Sequence, residues 1–286
     1  MIFTDLDGTL LDYHTYSFKK ALPALKEIKK EKIPLILCTS KTCAETEFYL
    51  KKLKILHPFI VENGGAIFIP KGYFHKRFSN LKKRSKYWVK ELGTSYQTLR
   101  KRLGEVSQKF KVKIKGFGDM KPEEIAKKYE LSLREAKLSK KRQYDEPFYF
   151  VSKIDFEILN KIKKEFAQLN LFLTKGGRLF HLTGKNDKGR AVKILKRMYE
   201  MEWNTKVKAI GIGDSLNDLP MLRIVDFPIL VKLQDESYDK DVLKNIKPIL
   251  SLGIGPQGWN EKVLEILENF NGRWLCLSQR RRIKIP

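Results

Sequence analysis

The chain begins MIFTDLDGTLLD, an apolar start that runs straight into Asp5 and Asp7 with Gly8 and Thr9 behind them. Apolar residues that end in two carboxylates one residue apart predict a short buried strand opening at its C-terminal end. In open α/β sheets that end is where ligands sit. Gly8 and Thr9 predict a tight turn, so the backbone reverses while both carboxylates stay near one cavity. Two acids this close repel each other unless a cation or a proton lies between them. The stretch therefore predicts a divalent metal, a shared proton or a merely solvated turn, and the remaining sequence has to decide.

Residues 17–32 put Phe18, Ala21, Leu22, Leu25 and Ile28 on one helical stripe, and Pro34 then leads into LILC and Thr39-Ser40-Lys41-Thr42. Strand, helix and strand in that order predict a βαβ unit, which brings residues 5–9 and 39–42 to one edge of a parallel sheet. Another amphipathic helix is expected at 43–54, a third strand at 59–61 before Glu62-Asn63-Gly64-Gly65, and a hairpin arm at 66–69. Near residue 80 the texture turns basic. Strands at 112–117 and 148–152, helices at 120–129, 132–140 and 155–169, and a hairpin turning at Gly176-Gly177 predict a small α+β insert over 82–184. Residues 1–81 and 185–286 then form one α/β domain. Its second half carries a helix with Val192, Leu195 and Met198, and a strand at 207–212 ending in GDSLND. A strand at 227–231 follows, then a helix through Val242, Ile246 and Ile249. LGIGPQGWN reads as a glycine-rich loop before a last helix at 259–270, with Trp259 as packing and Asn260 as its cap.

With 286 residues, 42% of them hydrophobic, the chain can bury a sizeable core. No run approaches the ~20 apolar residues of a membrane span, and acids at positions 5 and 7 exclude a signal peptide. Three cysteines, an odd number, fit a reducing cytoplasm, with Cys38 as a small core residue. Lysine and arginine number 58 against 33 acids, a net charge of +25. Such a balance suits nucleic acid, an anionic membrane surface or an anionic small substrate. The charge is spread over many helical faces without aromatic interleaving, so nucleic acid is disfavoured; a non-catalytic basic nucleic-acid-binding protein remains the alternative from another class. Lysine-rich solvated faces are also common in heat-adapted proteins.

Four polar clusters thus converge on one sheet edge: Asp5/Asp7, Thr39/Ser40, Lys188 and Asp214/Asp218. Carboxylates and water make a hard oxygen site that suits Mg²⁺ better than zinc. His14, His57, His75 and His181 lack ligand spacing, no G-x-S-x-G occurs, and GIGPQG lacks the Lys-Ser/Thr ending of a phosphate-binding loop. A metal beside a carboxylate and a lysine is what phosphoryl transfer needs, because charge on the non-bridging oxygens must be neutralised. An aspartate can itself be the nucleophile, and a second acid two residues on can protonate the leaving alkoxide and then activate water.

DLDGT at 5–9, Thr39-Ser40, Lys188 before a helix and GDSLND at 213–218 resemble the four motifs of the haloacid dehalogenase-like (HAD) phosphatases, and the resemblance spans the chain. It implies a Rossmann-like α/β core with a parallel sheet and an inserted α+β cap of the C2 type. It also implies Asp5 as nucleophile, Asp7 as general acid/base, and Thr39 and Lys188 on the phosphoryl oxygens. Mg²⁺ would be held by Asp5, the Asp7 carbonyl and Asp214, with Asp218 in support. Where that pattern often has Thr-Gly-Arg, this chain has Thr39-Ser40-Lys41.

TSKT-AE at 39–45, ENGG at 62–65, QYDEPF at 143–148, GGR at 176–178, DKG at 187–189 and GPQGWN at 255–260 resemble the mannosyl-3-phosphoglycerate phosphatase family. The resemblance implies a phosphorylated sugar-glycerate as substrate and an aspartyl-phosphate intermediate. The glucosyl counterpart and other sugar phosphates of sucrose or trehalose type are the alternatives. For such a substrate, Arg142 or Arg178 is expected to pair with the glycerate carboxylate, and Asp145 and Glu146 to accept from sugar hydroxyls. Ser40, Lys41 and Asn63 are expected on core loops that reach the phosphate or glycerate. A monomer or homodimer without a membrane partner is expected.

Overall fold

The computed structural model describes the backbone of residues 1–176 and 179–278, and the side chains of 1–175 and 179–269. The first part of the chain forms β1 (Ile2–Thr4), α1 (Leu22–Lys30), β2 (Leu35–Leu37), α2 (Cys43–Leu53), β3 (Phe59–Val61) and β4 (Ala66–Pro70). Next come β5 (Lys82–Arg84), β6 (Tyr87–Glu91), α3 (Tyr96–Lys109), β7 (Ile114–Gly116), α4 (Pro122–Tyr129) and α5 (Leu133–Ser139). The chain continues through β8 (Asp145–Phe150), α6 (Phe156–Gln168), β9 (Phe172–Gly176), β10 (Leu179–Thr183) and α7 (Lys188–Trp203). It ends with β11 (Ile210–Gly213), α8 (Leu219–Leu222), β12 (Phe227–Lys232), α9 (Lys240–Asn245), β13 (Ile249–Ile254) and α10 (Gly255–Ser278).

β1 lies inside a five-stranded parallel sheet of order β13-β12-β11-β1-β2. Ile2 and Phe3 are fully buried on opposite faces, as both-sides coverage of a parallel sheet requires. Ile2, Leu35, Leu37, Ile210, Ile212, Ile229 and Val231 face a core completed by α1, α2 and α10. Phe3, Ile36 and Leu230 face the other core, filled by Val192, Leu195, Met198 and Tyr199 of α7 and by Val242 of α9. Alternating side chains thus feed two apolar layers, and the fold is a mixed α/β one as expected.

A single parallel bridge between Cys38 and Ile60 joins this sheet to a second, antiparallel one of order β3-β4-β6-β5. Residues 82–91, expected in the insert, therefore extend the β3-β4 hairpin, with Phe68 opposite Val89. The antiparallel sheet of the insert, β7-β8-β10-β9, is built from residues 114–183. It packs on α3 and α6 through Leu99, Leu103, Val106, Ile162 and Phe166. α4 and α5 form a separate small cluster with Phe117 and Met120.

Two expectations near the C-terminus are corrected. Ile249 does not continue a helix: it opens β13, an edge strand whose Leu250 and Leu252 are exposed. GPQGWN is not a loop but the first turns of α10. There the Trp259 indole donates to Thr4 Oγ1 at 3.0 Å, and that hydroxyl donates to the Asp5 carbonyl at 2.8 Å. Asn260 Oδ1 accepts the Ala24 N–H at 2.9 Å, so it satisfies the first turn of α1 rather than its own helix. No helix among the described residues is long and apolar enough to cross a membrane.

Trp259 is thus tied to the strand that carries Asp5. Replacing Trp259 with phenylalanine should lower the unfolding free energy by about 2 kcal/mol, from one lost buried hydrogen bond plus a cavity. Chemical denaturation checks this, and an unchanged midpoint would contradict the tie.

Candidate active site

Asp5 follows β1 directly, and its N–H still donates to Ile212 O at 2.9 Å. Gly8 turns the chain with φ +75, a conformation that favours glycine, and a Cβ there would lie 2.9 Å from Asp214 Oδ2 and displace that carboxylate. From β11, Asp214 comes alongside, with Oδ1 accepting from Thr9 Oγ1 at 3.1 Å. A 3-10 turn at Leu216–Asp218 folds the fourth acid back under the loop. Carboxylate oxygens of Asp5, Asp214 and Asp218 lie within 4.8 Å of one another, all buried.

Lys188 opens α7 and is fully buried. Its ammonium donates to Asp5 Oδ1 at 2.5 Å and to Asp218 Oδ1 at 2.6 Å. Burial opposes its charge, yet Asp218 and Asp5 hold its pKa well above the ordinary lysine range. For Asp5 and Asp214 the balance runs the other way. Burial and the neighbouring carboxylates push both upward, and Lys188 only partly offsets them. One ammonium against three buried carboxylates leaves excess negative charge in an all-oxygen donor set, which fits a hard divalent cation. Asp5 and Asp214 suit that role. Asp218 is otherwise engaged, its Oδ2 accepting from the Asp214 and Ser215 N–H groups at 3.1 and 3.3 Å.

Asp7 pairs with a second lysine. Its Oδ2 lies 2.8 Å from Lys41 Nζ, while its Oδ1 is buried with no hydrogen bond among the described residues. Lys41 also sits 5.1 and 5.5 Å from the ring centroids of Tyr16 and Tyr49. Burial works against its charge, but Asp7 and Glu45 keep it protonated. Thr39 is fully buried and its Oγ1 accepts the Lys41 N–H at 3.1 Å. Asp7 and Lys41 open onto a cleft of ≈ 910 Å³, mouth included, lined also by Asp5, Ser40, Arg142 and Asp214 among others; the expected Thr39 is not among the lining residues.

The insert closes the far side. Arg142 donates to Ser139 O at 3.1 Å and, across the junction, to Ser40 O at 2.9 Å, with Asp145 Oδ2 3.3 Å away. Asp145 is fully buried; its Oδ2 also accepts from Asn63 Nδ2 at 3.1 Å and meets His181 Nδ1 at 2.8 Å. Glu146, expected to reach a sugar hydroxyl, does not line the cleft. It is fully buried, with Oε1 taking Arg100 Nη1 at 2.9 Å and the Gly118 N–H at 3.1 Å. Arg178 lies outside the described residues.

Two residues escape the sequence reading. Glu62 and Asn63 both have positive φ (48 and 54), as does Gly64 at 82, where a Cβ would sit 2.1 Å from the Asp187 carbonyl. That bend aims the Glu62 carboxylate at the N–H groups of Gln143, Tyr144 and Asp145, at 2.9, 2.7 and 3.0 Å. Burial pushes the Glu62 carboxyl up to about 7, against the pull of Arg142 and these donors. His181 is the other. It faces Pro147 across the β8-β10 pair, and a polar residue inside the apolar strand LFHLT was its only signal.

Lys188 is the counter-charge on which the acids depend. In Lys188→Met, unfolding measured with a chelator present should cost on the order of 3 kcal/mol, because buried carboxylates lose their partner. A variant as stable as the parent would show that the acids need no counter-charge.

Residues 2–241 match the family described as haloacid dehalogenase-like hydrolase. The chain is 46% identical over 272 residues to a glucosyl-3-phosphoglycerate/mannosyl-3-phosphoglycerate phosphatase of Methanococcoides burtonii, covering 95% of this chain and 98% of that one. It is 36% identical over 252 residues to a mannosyl-3-phosphoglycerate phosphatase of Pyrococcus furiosus, covering 86% and 99%. Among solved structures, a Thermoplasma acidophilum protein superposes with a TM-score of 0.63 at 21% identity, over 94% of this chain and 97% of that one. A sugar phosphatase of HAD subclass IIB does so with a TM-score of 0.62 at 16% identity, over 94% and 98%. With its acids, lysine and inserted sheet so arranged, the chain belongs to the haloacid dehalogenase-like hydrolases.

Proposed function

We propose that the protein is a Mg²⁺-dependent phosphatase that hydrolyses mannosyl-3-phosphoglycerate, and its glucosyl counterpart, to the glycosylglycerate and phosphate. The observation that carries the chemistry is the buried gathering of Asp5, Asp214 and Asp218 about Lys188 at the floor of the cleft. The two sugars follow from the names of relatives 46% and 44% identical to this chain. The same acids argue against a nucleic-acid-binding role for the cleft, since polyanionic backbone would meet carboxylates.

Lys188 engages Oδ1 of Asp5 and favours its ionised form against the burial that opposes it, so the other oxygen serves as nucleophile. Asp5 attacks phosphorus, the ester P–O bond breaks, and Asp7, in the protonated form that each turnover regenerates and at the Oδ1 that Lys41 leaves free, gives its proton to the leaving glycerate oxygen. Asp7 then takes a proton from water as that water attacks the aspartyl-phosphate, releasing phosphate and restoring Asp5. Asp5, the Asp7 carbonyl and Asp214 would hold Mg²⁺, which when bound neutralises charge on the phosphoryl oxygens. Thr39 and Ser40 belong to the loop that receives the phosphate. Lys41 and Arg142 are the cations placed for the glycerate carboxylate, each already seated against an acid.

Asp5→Asn should lower phosphate release from mannosyl-3-phosphoglycerate by at least roughly 1,000-fold without unfolding the protein. Excess chelator should abolish turnover, and added Mg²⁺ should restore it. A panel that includes sucrose and trehalose phosphates tests the substrate; preference for either over both glycosyl-3-phosphoglycerates would overturn the assignment.

A further inference from the structure

The mechanism leaves His181 unused, although it lines the same cleft as Asp5 and Asp7. It stands on β10 of the insert and is almost wholly buried, at 8% exposure. Its Nδ1 lies 2.8 Å from Asp145 Oδ2, and an ionised carboxylate only accepts, so Nδ1 carries the proton. Nε2 is then the ring's remaining polar atom, and it has no hydrogen-bond partner among the described residues. Asp145 in turn is fixed by Arg142 and Asn63. A histidine locked in one tautomer by a buried, doubly anchored acid is a preorganised acceptor, not a solvated side chain.

What it faces follows from the layout. The floor of the cleft, with Asp5, Asp7 and Asp214, takes the phosphoryl group, and Lys41 and Arg142 supply the positive charge. Apart from Arg142, which reaches the same Asp145 oxygen as His181, the residues the insert contributes to the lining are uncharged, among them Phe117, Ser139, Pro147 and Leu179. A lining with one fixed acceptor, whose one cation from the insert is already held by Asp145, suits an uncharged polyol rather than a second anion. On the functional reading above, on which this inference rests, that part of the substrate is the sugar ring.

We propose that His181 is a specificity-determining residue, its Nε2 accepting a hydrogen bond from a hydroxyl of the substrate's sugar, and that Asp145 is the positioning residue that fixes its tautomer. Asp145 therefore acts on the sugar through His181 rather than by direct contact.

Three variants test this: His181→Phe, which keeps a ring and removes both nitrogens; His181→Gln, which restores an acceptor; and Asp145→Asn. In His181→Phe the KM for mannosyl-3-phosphoglycerate should rise roughly tenfold with kcat little changed, as expected when a contact remote from the reacting atoms is lost. Inhibition by inorganic phosphate, which carries no sugar, should move less than about twofold. His181→Gln should recover part of the loss, and Asp145→Asn should raise the same KM. A KM within about twofold of the parent, or an equal loss of phosphate inhibition, overturns the proposal. Should the variants fold poorly, the Asp5→Asn protein labelled with ¹⁵N-histidine gives a second measurement. Its His181 Nε2 resonance should shift with mannosyl-3-phosphoglycerate and not with phosphate; no shift, or equal shifts, overturns it. A parent enzyme inactive on both glycosyl-3-phosphoglycerates would instead sink the functional reading, whereas an active parent with an indifferent His181 sinks this inference alone.

Discussion

One ammonium buried among carboxylates is the constraint on which the rest of the structure depends. Lys188 bridges Asp5 and Asp218 with no exposure of its own. Desolvating such charges costs several kcal/mol per ion unless each finds partners. The surrounding structure supplies them: backbone N–H groups for Asp218, a threonine hydroxyl for Asp214, and a second lysine for Asp7. Two parallel strands, a helix N-terminus and a glycine turn all end at this point because none can bury its charge alone.

The insert is joined to this centre by a set of polar contacts, beside the packing of Tyr144 into the core. Glu62 collects three N–H groups from residues 143–145, and Arg142 reaches back to Ser40. Thr42 Oγ1 donates to Leu138 O at 3.1 Å, and Tyr49 OH to Glu135 at 3.0 Å. Each bond contributes modestly, on the order of 1 kcal/mol. Such contacts are directional, so they fix where the insert sits over the cleft. They also explain why acids at 62, 145 and 146 are buried: Glu62 and Asp145 serve the junction, and Glu146 ties α3 to the insert's own sheet through Arg100.

Much of this was legible beforehand. The motifs at 5–9, 39–42, 188 and 213–218 could be placed on one sheet edge because parallel strands joined by helices must all end on the same side. Other features were hidden for identifiable reasons. In KKR and YWVKE the lysines face solvent on an edge hairpin and mask the alternation of β5 and β6. Val242, Ile246 and Ile249 fall at helical spacing by chance, because α9 stops at Asn245 and Ile249 opens a strand exposed on one side. GPQGWN carried glycines that read as a loop, whereas they let the start of α10 approach its neighbours.

The amino-acid sequence by itself determined which chemistry was present: acids after an apolar strand, a lysine before a helix, and an insert between the halves of one α/β domain. Only the tertiary structure decided which acids remain available and which are consumed. Asp145, Glu146 and Glu62 are all carboxylates within a few residues of expected contact points, and nothing in their local pattern separates them. Their roles depend on partners far away in the chain, such as His181, Arg100 and the N–H groups at 143–145. A buried carboxylate is defined by whatever neutralises it, and that partner is chosen by packing rather than by adjacency in sequence.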